Sequence, residues 1–312
     1  MRLSLVTPAY QAGRYLEETI RSVIAQNWSN LELILIDGGS TDETRTIAQH
    51  YAPWISHFVS EPDDGQADAI NKGLQLATGE FVNWLNADDL LTPGALATVA
   101  RLGARADVVA GATEDFDPQG RTRVIHARGL CFEEMVRHGA GGDVLFHQPS
   151  IWIRRKCLAA IGPLATDLHY KFDFDMLLRL LAQQPLVEYT PQILARFRLH
   201  PASKTVGEQP KFLADHVCAL ARLRANPAYT RWHPLIEQPL RDKRWQLYLA
   251  KLMADGQRSR WSRLRELRAQ IKADPAHRCS GSTRRAAQRI LLKGTHVKLA
   301  KMPRRRWALR RG

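Results

Sequence analysis

The stretch FVNWLNADDLLTPGA, residues 81–95, decides how this chain is read. Phe81–Leu85 is apolar apart from Asn83, the pattern of a strand covered on both faces. It runs into Asn86-Ala87-Asp88-Asp89, after which Thr92 reads as a helix cap and Pro93 as the first helical residue. Adjacent carboxylates at the end of an apolar strand repel each other unless they share a proton or a cation. A strand that ends in acids and hands over to a helix belongs to an open α/β sheet, where ligands sit beyond the carboxyl ends of the strands.

The flanking sequence repeats the unit. Leu3–Thr7 is a short strand closed by Pro8, and Ala12–Ala25 has helical spacing with Leu16, Ile20, Val23 and Ile24 on one face. Leu31–Ile36 is a buried strand, and Ser40 with Glu43 fits a capping box for a helix reaching about Tyr51. Ser56–Ser60 reads as a strand, Gln66–Ala77 as a helix, and Asp107–Gly111 opens another strand. Four strand ends are polar or Gly-rich: Thr7-Pro8-Ala9-Tyr10, Asp37-Gly38-Gly39-Ser40, Glu61-Pro62-Asp63-Asp64-Gly65 and Asn86-Ala87-Asp88-Asp89. Three carry acids, and carboxylates converging on one sheet edge point to a site rather than to ordinary loops.

Composition narrows the chemistry. The 312 residues are 45% hydrophobic and 24% charged, ordinary for a globular chain with ample core. No apolar run reaches the roughly 18–20 residues of a membrane span, and the start is too short for a signal-peptide core, so a cytoplasmic location is expected. Cys131, Cys157, Cys218 and Cys279 are widely spaced and read as reduced structural thiols. Residues 1–200 carry 18 Lys+Arg against 24 Asp+Glu, a net of −6, whereas residues 201–312 carry 27 against 7, a net of +20. A mildly acidic body thus precedes a strongly basic tail. The body has no GxxxxGK[ST] loop and no GxGxxG after its first strand, which argues against an ATPase or a nicotinamide dehydrogenase. Acids at strand ends without a phosphate-cradling loop suit Mg²⁺ or Mn²⁺ held between carboxylates and the diphosphate of a nucleotide donor.

Three segments, TPAYQAGRYLEETIRSVIAQ (7–26), LELILIDGGSTDETRTIAQHY (31–51) and SEPDDGQADAINKGLQLATGEFVNWLNADDLLTPGAL (60–96), together resemble a family 2 glycosyltransferase of the bacterial capsule, exopolysaccharide or O-antigen type. Weaker similarity follows at FHQPSIWIRRKCLAAIGPL (146–164), HYKFDFDMLLRL (169–180) and FRLHPASKT (197–205). The resemblance implies a GT-A fold, a Rossmann-like open mixed sheet flanked by helices, over residues 1–205. Residues 1–105 would form the nucleotide-sugar half and 106–205 the acceptor side. It implies an inverting, metal-dependent transfer from a nucleotide-diphosphate sugar (UDP-, GDP- or dTDP-linked) to a glycan acceptor, plausibly lipid-linked.

By that resemblance Asn86, Ala87, Asp88 and Asp89 occupy the family's DxD-type position. Asn86 stands where the first acid is usual, so Asp88 and Asp89 would carry Mn²⁺ or Mg²⁺, either being the direct ligand. Thr7, Pro8 and Tyr10 fall where the first loop lines the nucleobase. Asp37 and Gly39 lie in the second loop, with Gly38 replacing a common second acid. Asp68, Asn71, Lys72 and Gln75 share one helical face: either a solvated face with an Asp68–Lys72 ion pair or, as the family match favours, Asp68 at the base and Lys72 near phosphate. Asp173 falls where the family's catalytic base lies, though an Asp at a helix entry is also a common cap. His200 would be a further metal ligand or phosphate donor and Arg198 a phosphate partner, both on the outward face of an alternating Ala195–His200 strand. His147-Gln148-Pro149-Ser150 opens another strand, either structural or lining the acceptor side.

Residues 206–312 read as basic helices. Trp261, Leu264, Leu267 and Ile271 form a narrow apolar stripe among arginines, and Trp307 and Leu309 lie within the basic run Lys301–Arg311. Three roles compete: a solvated bundle, attachment to an anionic membrane on the inner face of the cell, and nucleic-acid binding, which lacks any accompanying motif. A catalytically inactive GT-A-fold protein acting as a nucleic-acid-binding or scaffold protein through the tail is the alternative to the enzyme.

Overall fold

The computed structural model describes residues 1–138, 144–200, 209–255, 257–278 and 280–292. Lys301–Arg311, Cys279 and the end of FRLHPASKT lie outside them. The chain divides into two compact units, residues 1–240 and 241–312.

Nine strands of the first unit form one sheet: β1 (Leu3–Ala9), β2 (Leu31–Asp37), β3 (His57–Ser60), β4 (Phe81–Trp84), β5 (Leu90–Leu91), β6 (Val108–Phe116), β7 (Thr122–Ile125), β8 (Ile151–Arg154) and β9 (Val187–Arg198). Their order is β3-β2-β1-β4-β8-β6-β9-β5, with β7 paired to β6. The first four are parallel, β8 is antiparallel to both its neighbours, and β9 runs parallel to β6. The sheet is therefore mixed, as the GT-A expectation required.

The apolar runs have the physical cause inferred from them. Leu3, Leu5, Leu33, Leu35 and Phe81 face a core completed by α1 (Leu16–Ile24), α2 (Thr44–His50) and α4 (Ala95–Gly103). Val6, Ile34, Ile36 and Val82 face the opposite core, with α3 (Gln66–Leu76), α5 (Phe132–His138), α6 (Arg155–Ala160), α7 (Phe172–Leu181) and α8 (Gln209–Ala225). Alternation along each strand thus feeds two cores rather than one. Asn83, the polar break in the opening stretch, is buried but satisfied: its amide donates to the Pro149 carbonyl at 2.8 Å and its oxygen accepts from Gln148 at 2.7 Å.

Several boundaries differ from the sequence reading. β1 continues through Pro8 to Ala9, because β4 pairs with it only as far as Val6 and proline tolerates a position flanked on one side. Ser40 does not cap α2. Its hydroxyl donates to the buried Asp37 carboxylate at 2.5 Å, a charge-assisted bond, and Asp42 accepts the Thr44 N–H instead. Thr92 does not cap α4 either. Its hydroxyl donates to the Ile193 carbonyl, Leu90–Leu91 pairs with β9, and Gly94 precedes the helix in a left-handed conformation.

Packing carries the first unit to residue 240, and the basic run begins there too: residues 201–240 carry 5 Lys+Arg against 3 Asp+Glu, residues 241–312 carry 22 against 4. Ala219, Leu220 and Leu223 of α8, Trp232, and Ile236 and Leu240 of α9 (His233–Ala254) belong to the core of the first unit. Basic residues on the outer face of those helices leave their apolar face free to join that core. The second unit has its own small core of Trp245, Leu249, Leu252, Leu264, Leu267, Ala286 and Ile290, drawn from the end of α9, α10 (Arg260–Ala273) and α11 (Gly281–Leu292). Leu264 and Leu267 are buried as the stripe predicted, but Trp261 stands 62% exposed with Arg260 over its ring. No described helix is long and apolar enough to cross a membrane.

The close approach of α3 to the sheet depends on Gly73, where an added Cβ would lie 2.4 Å from the Val6 side chain. Gly73→Ala is expected to lower stability by about 1–3 kcal/mol through overpacking, read as a shifted midpoint in urea unfolding.

Candidate active site

One cavity of about 1190 Å³ opens at the carboxyl ends of β1, β2 and β4. Its wall includes Pro8, Tyr10, Gly38, Asp63, Asn86, Ala87 and Asp88 on the side of the parallel strands, and His147, Asp173, Phe197 and His200 on the other. Residues distant in sequence meet there because every parallel strand releases its chain at the same edge.

The Asp88-Asp89 pair separates into two roles. Asp89 is buried at 1% exposure and points inward, where its Oδ1 accepts the Arg198 backbone N–H at 2.9 Å and its Oδ2 accepts the Asn86 amide at 3.2 Å. Burial pushes its carboxyl well above the ordinary range, and the neighbouring Asp88 charge adds to this against those two hydrogen bonds. Asp88 faces the cavity, with its Oδ2 2.9 Å from His200 Nε2. The Thr19 hydroxyl of α1, 3.0 Å from the Ala87 carbonyl and 2.9 Å from that of Asp89, fixes the turn between them.

Asn86 now has a physical explanation. Its Oδ1 accepts from Gln66 Nε2 at 2.7 Å while its amide donates to Asp89. An acid at this position would set a third carboxylate against a buried one, whereas the amide bridges the two groups.

The expected phosphate partner Arg198 lies elsewhere. Its guanidinium donates to the Asp88 carbonyl at 2.8 Å and to Glu18 at 2.6 Å, and packs over Tyr15 and Phe116. Tyr15 also stacks with His200, the centroids 5.1 Å apart. Arg198 therefore holds the Asp88 loop and β9 together, behind the cavity wall.

Other expected positions are also off the wall. Asp37 is fully buried and accepts from the Ser40 amide and hydroxyl and from the Ser60 hydroxyl at 2.7 Å, because three nearby donors satisfy it inside the β2 turn. Gly39 follows with φ 82°, continuing that turn. Thr7 is buried at 1%, and its hydroxyl has no partner among the described residues. Lys72 binds Glu61 at 2.8 Å, the Pro62 carbonyl at 3.2 Å and Asp68 at 3.5 Å, while Asp68 accepts the Asp64 N–H. The shared face of α3 thus braces the 61–65 loop, since that loop folds back over it.

On the opposite wall, Asp173 is the second residue of α7, with Lys171 at the cap position, so it does not serve as the N-cap. It accepts the Phe174 N–H at 2.7 Å and lines the cavity. Asp175, only two residues on, is buried and paired with Arg179 at 2.9 Å, which also donates to the Ile161 and Pro163 carbonyls. His147 lies 2.8 Å from Asp115 and stacks on Phe197. Sequence reasoning missed Arg14, Lys171 and Asp63 as wall residues. Asp63 was visible only as one of three acids at a strand end, and the fold alone turns it toward the cavity.

Among the described residues no three His, Cys, Asp or Glu side chains cluster to hold an ion unaided. Asp88 with His200 still fits a hard divalent cation, which commonly takes one or two protein ligands and completes its shell with water and substrate phosphate.

The Glycosyl transferase family 2 profile matches residues 4–162. The chain belongs to that family. An uncharacterized glycosyltransferase of Nostoc sp. is 37% identical over 112 residues, 35% of this chain and 35% of its own. Matches to the first curated relatives cover between 28% and 35% of their length. Among solved structures, S. aureus TarS 1-349 aligns with a TM-score of 0.60 at 16% identity, over 93% of this chain and 82% of that one. The mannosyltransferase PcManGT from Pyrobaculum calidifontis, in complex with GDP-Man and Mn2+, aligns with a TM-score of 0.57 at 20% identity, over 94% and 88%. Both likenesses carry the GT-A fold.

Asn86→Asp, nearly isosteric, is expected to cost about 2 kcal/mol or more of stability near neutral pH by replacing a donor to Asp89 with a like charge. The penalty should shrink on acidification, as protonating either carboxyl restores a hydrogen bond. Denaturant midpoints of both proteins at neutral and acid pH check this.

Proposed function

We propose that the protein is an inverting glycosyltransferase that moves a sugar from a nucleotide-diphosphate donor to a glycan acceptor, with a divalent cation at Asp88. The carrying observation is one cavity whose walls bear both the Asp88–His200 pair and Asp173. A donor lying along the strand ends would place its diphosphate near Asp88, with Arg14 as a further cation on the wall, and its sugar toward Asp173. A bound Mn²⁺ or Mg²⁺ would neutralise charge developing on the leaving diphosphate. Asp88 would be the direct carboxylate ligand and His200 the second protein group, while Asp89 holds the turn.

Asp173 would act as general base. Its carboxylate accepts the proton of the acceptor hydroxyl as that oxygen attacks the anomeric carbon from the face opposite the leaving diphosphate, so configuration inverts. Asp175, neutralised by Arg179 and turned into the core, cannot compete for the role. The relative solved with GDP-Man and Mn2+ and the TarS complex with UDP-GlcNAc support a nucleotide-sugar donor and a divalent ion here.

Asp173→Asn is expected to reduce turnover by at least about 100-fold, the usual contribution of general base catalysis, with donor affinity nearly intact. Near-normal turnover would remove Asp173 from the role. Asp88→Ala is expected to abolish the dependence of donor binding on Mn²⁺, measured by calorimetry with and without the ion. Unchanged metal dependence would sink the assignment.

The acceptor is proposed to be lipid-linked, with the enzyme on the inner membrane face and its product a surface polysaccharide. Support comes from the basic second unit and from exposed Trp261 among Arg258, Arg260, Arg265 and Arg268. Such a surface adsorbs to anionic headgroups by charge and an interfacial aromatic. Co-sedimentation should show retention on vesicles containing phosphatidylglycerol, weakened by salt and by Trp261→Ala, and none on phosphatidylcholine. Equal retention on both would contradict the electrostatic reading.

A further inference from the structure

The cavity that holds the Asp88–His200 pair and Asp173 is also lined by Tyr170 and Lys171, which lead into α7, and by Phe212 of α8. All three lie beyond residues 4–162, where the family profile matches, so the family does not set their chemistry.

Their arrangement leaves one charge unanswered. The rings of Tyr170 and Phe212 pack with centroids 4.8 Å apart, and the Lys171 ammonium stands 5.6 Å from the centroids of both Phe212 and Phe174. Asp215 of α8 is the neighbouring acid, and the backbone consumes it: it accepts the Tyr170 N–H at 2.7 Å and bonds the Lys171 N–H as well. Among the described residues no carboxylate pairs with the Lys171 side chain. Two aromatic faces recover only part of the hydration that a half-buried ammonium gives up. Its N–H donors remain for something in the cavity, and the rings around it exclude water, which strengthens attraction to an opposite charge. This cation is distinct from the one proposed for the diphosphate. Arg14 packs on Tyr15, whose ring also stacks with His200, whereas Lys171 packs on rings of α7 and α8.

We propose that Lys171, beside the Tyr170–Phe212 shelf, binds an anionic group of the acceptor, a carboxylate or a phosphate. The assignment rests on the glycan acceptor and the base proposed above. The Cα atoms of Lys171 and Asp173 can be at most about 7 Å apart. The anion therefore belongs to the sugar whose hydroxyl Asp173 deprotonates, or to its neighbour. Lys171 is thereby a specificity-determining residue. It favours an acidic sugar, a sugar phosphate or the phosphate of a lipid linkage over a neutral glycan.

The full chain is titrated by saturation-transfer NMR with methyl glucuronide, glucose 6-phosphate, glucose 1-phosphate and the neutral methyl glucoside. UDP, GDP and dTDP are titrated separately with Mn²⁺. Wild type is expected to bind at least one of the anionic sugars about tenfold or more tightly than methyl glucoside, the scale of one hydrogen bond to a charged group. A lead for glucose 1-phosphate identifies the anomeric phosphate of a lipid linkage, and a lead for either of the others a charged ring; both support the subsite. Lys171→Met should cut the advantage to less than about threefold, with methyl glucoside and nucleotide affinities unchanged. Lys171→Arg should keep most of it. Four results overturn the subsite: equal binding of charged and neutral sugars by wild type, binding of none of them, an advantage that survives in Lys171→Met, or a nucleotide affinity that falls with it. Failure of all the nucleotides to bind, with the anion preference intact, overturns the donor reading instead.

Discussion

The buried carboxylate of Asp89 joins the end of β4 to the end of β9, and the site is arranged around that junction. One oxygen takes the Arg198 N–H and the other the Asn86 amide. Those two bonds turn Asp89 inward, and the turn in turn aims Asp88 at the cavity. They also hold β9 in the register that brings His200 to 2.9 Å from Asp88. Burying a carboxylate is costly unless its lone pairs are met, which is why the residues around it are an amide, a backbone N–H and the guanidinium of Arg198 packed against Asp88.

The same constraint accounts for an amide rather than an acid at position 86. A third acid beside Asp89 would add like charge in a water-poor site, and the amide of Asn86 avoids it while linking Gln66 to Asp89. Asp37 shows a parallel outcome at the end of β2. It too is an acid at a strand end, and it too is consumed by the turn that carries it. In each case one carboxylate is consumed by its turn while another, Asp88 in the same turn or Asp63 in the loop after β3, faces the cavity.

Charge and packing change together along the chain, near residue 240. Residues 201–240 carry 5 Lys+Arg against 3 Asp+Glu and are close to neutral, so the strongly basic part of the chain starts at 241. Packing divides at 240, because α8, Trp232 and the first turns of α9 carry apolar residues that complete the core beside α7. The excess of positive charge therefore belongs to the second unit, where residues 241–312 carry 22 Lys+Arg against 4 Asp+Glu, while residues 1–240 carry 23 against 27.

Sequence alone determined the mixed α/β architecture, the two-faced burial of the strands, the edge at which the acids gather, and the candidate base at the start of α7. The burial of the strands and their shared edge follow from local periodicity and from strand ends that share one direction, whereas the mixed sheet and the candidate base were implied by the family resemblance. Tertiary structure alone decided which carboxylates face outward. Asp88 and Asp89, Asp173 and Asp175, and Asp37 and Asp63 are alike in chemistry, and each pair lies close in sequence or on adjacent loops. What separates them is the set of donors each meets on folding: Arg198 from β9, Arg179 on the same helix, and Ser60 from β3. Two of those three partners come from other elements, at separations that no short motif encodes.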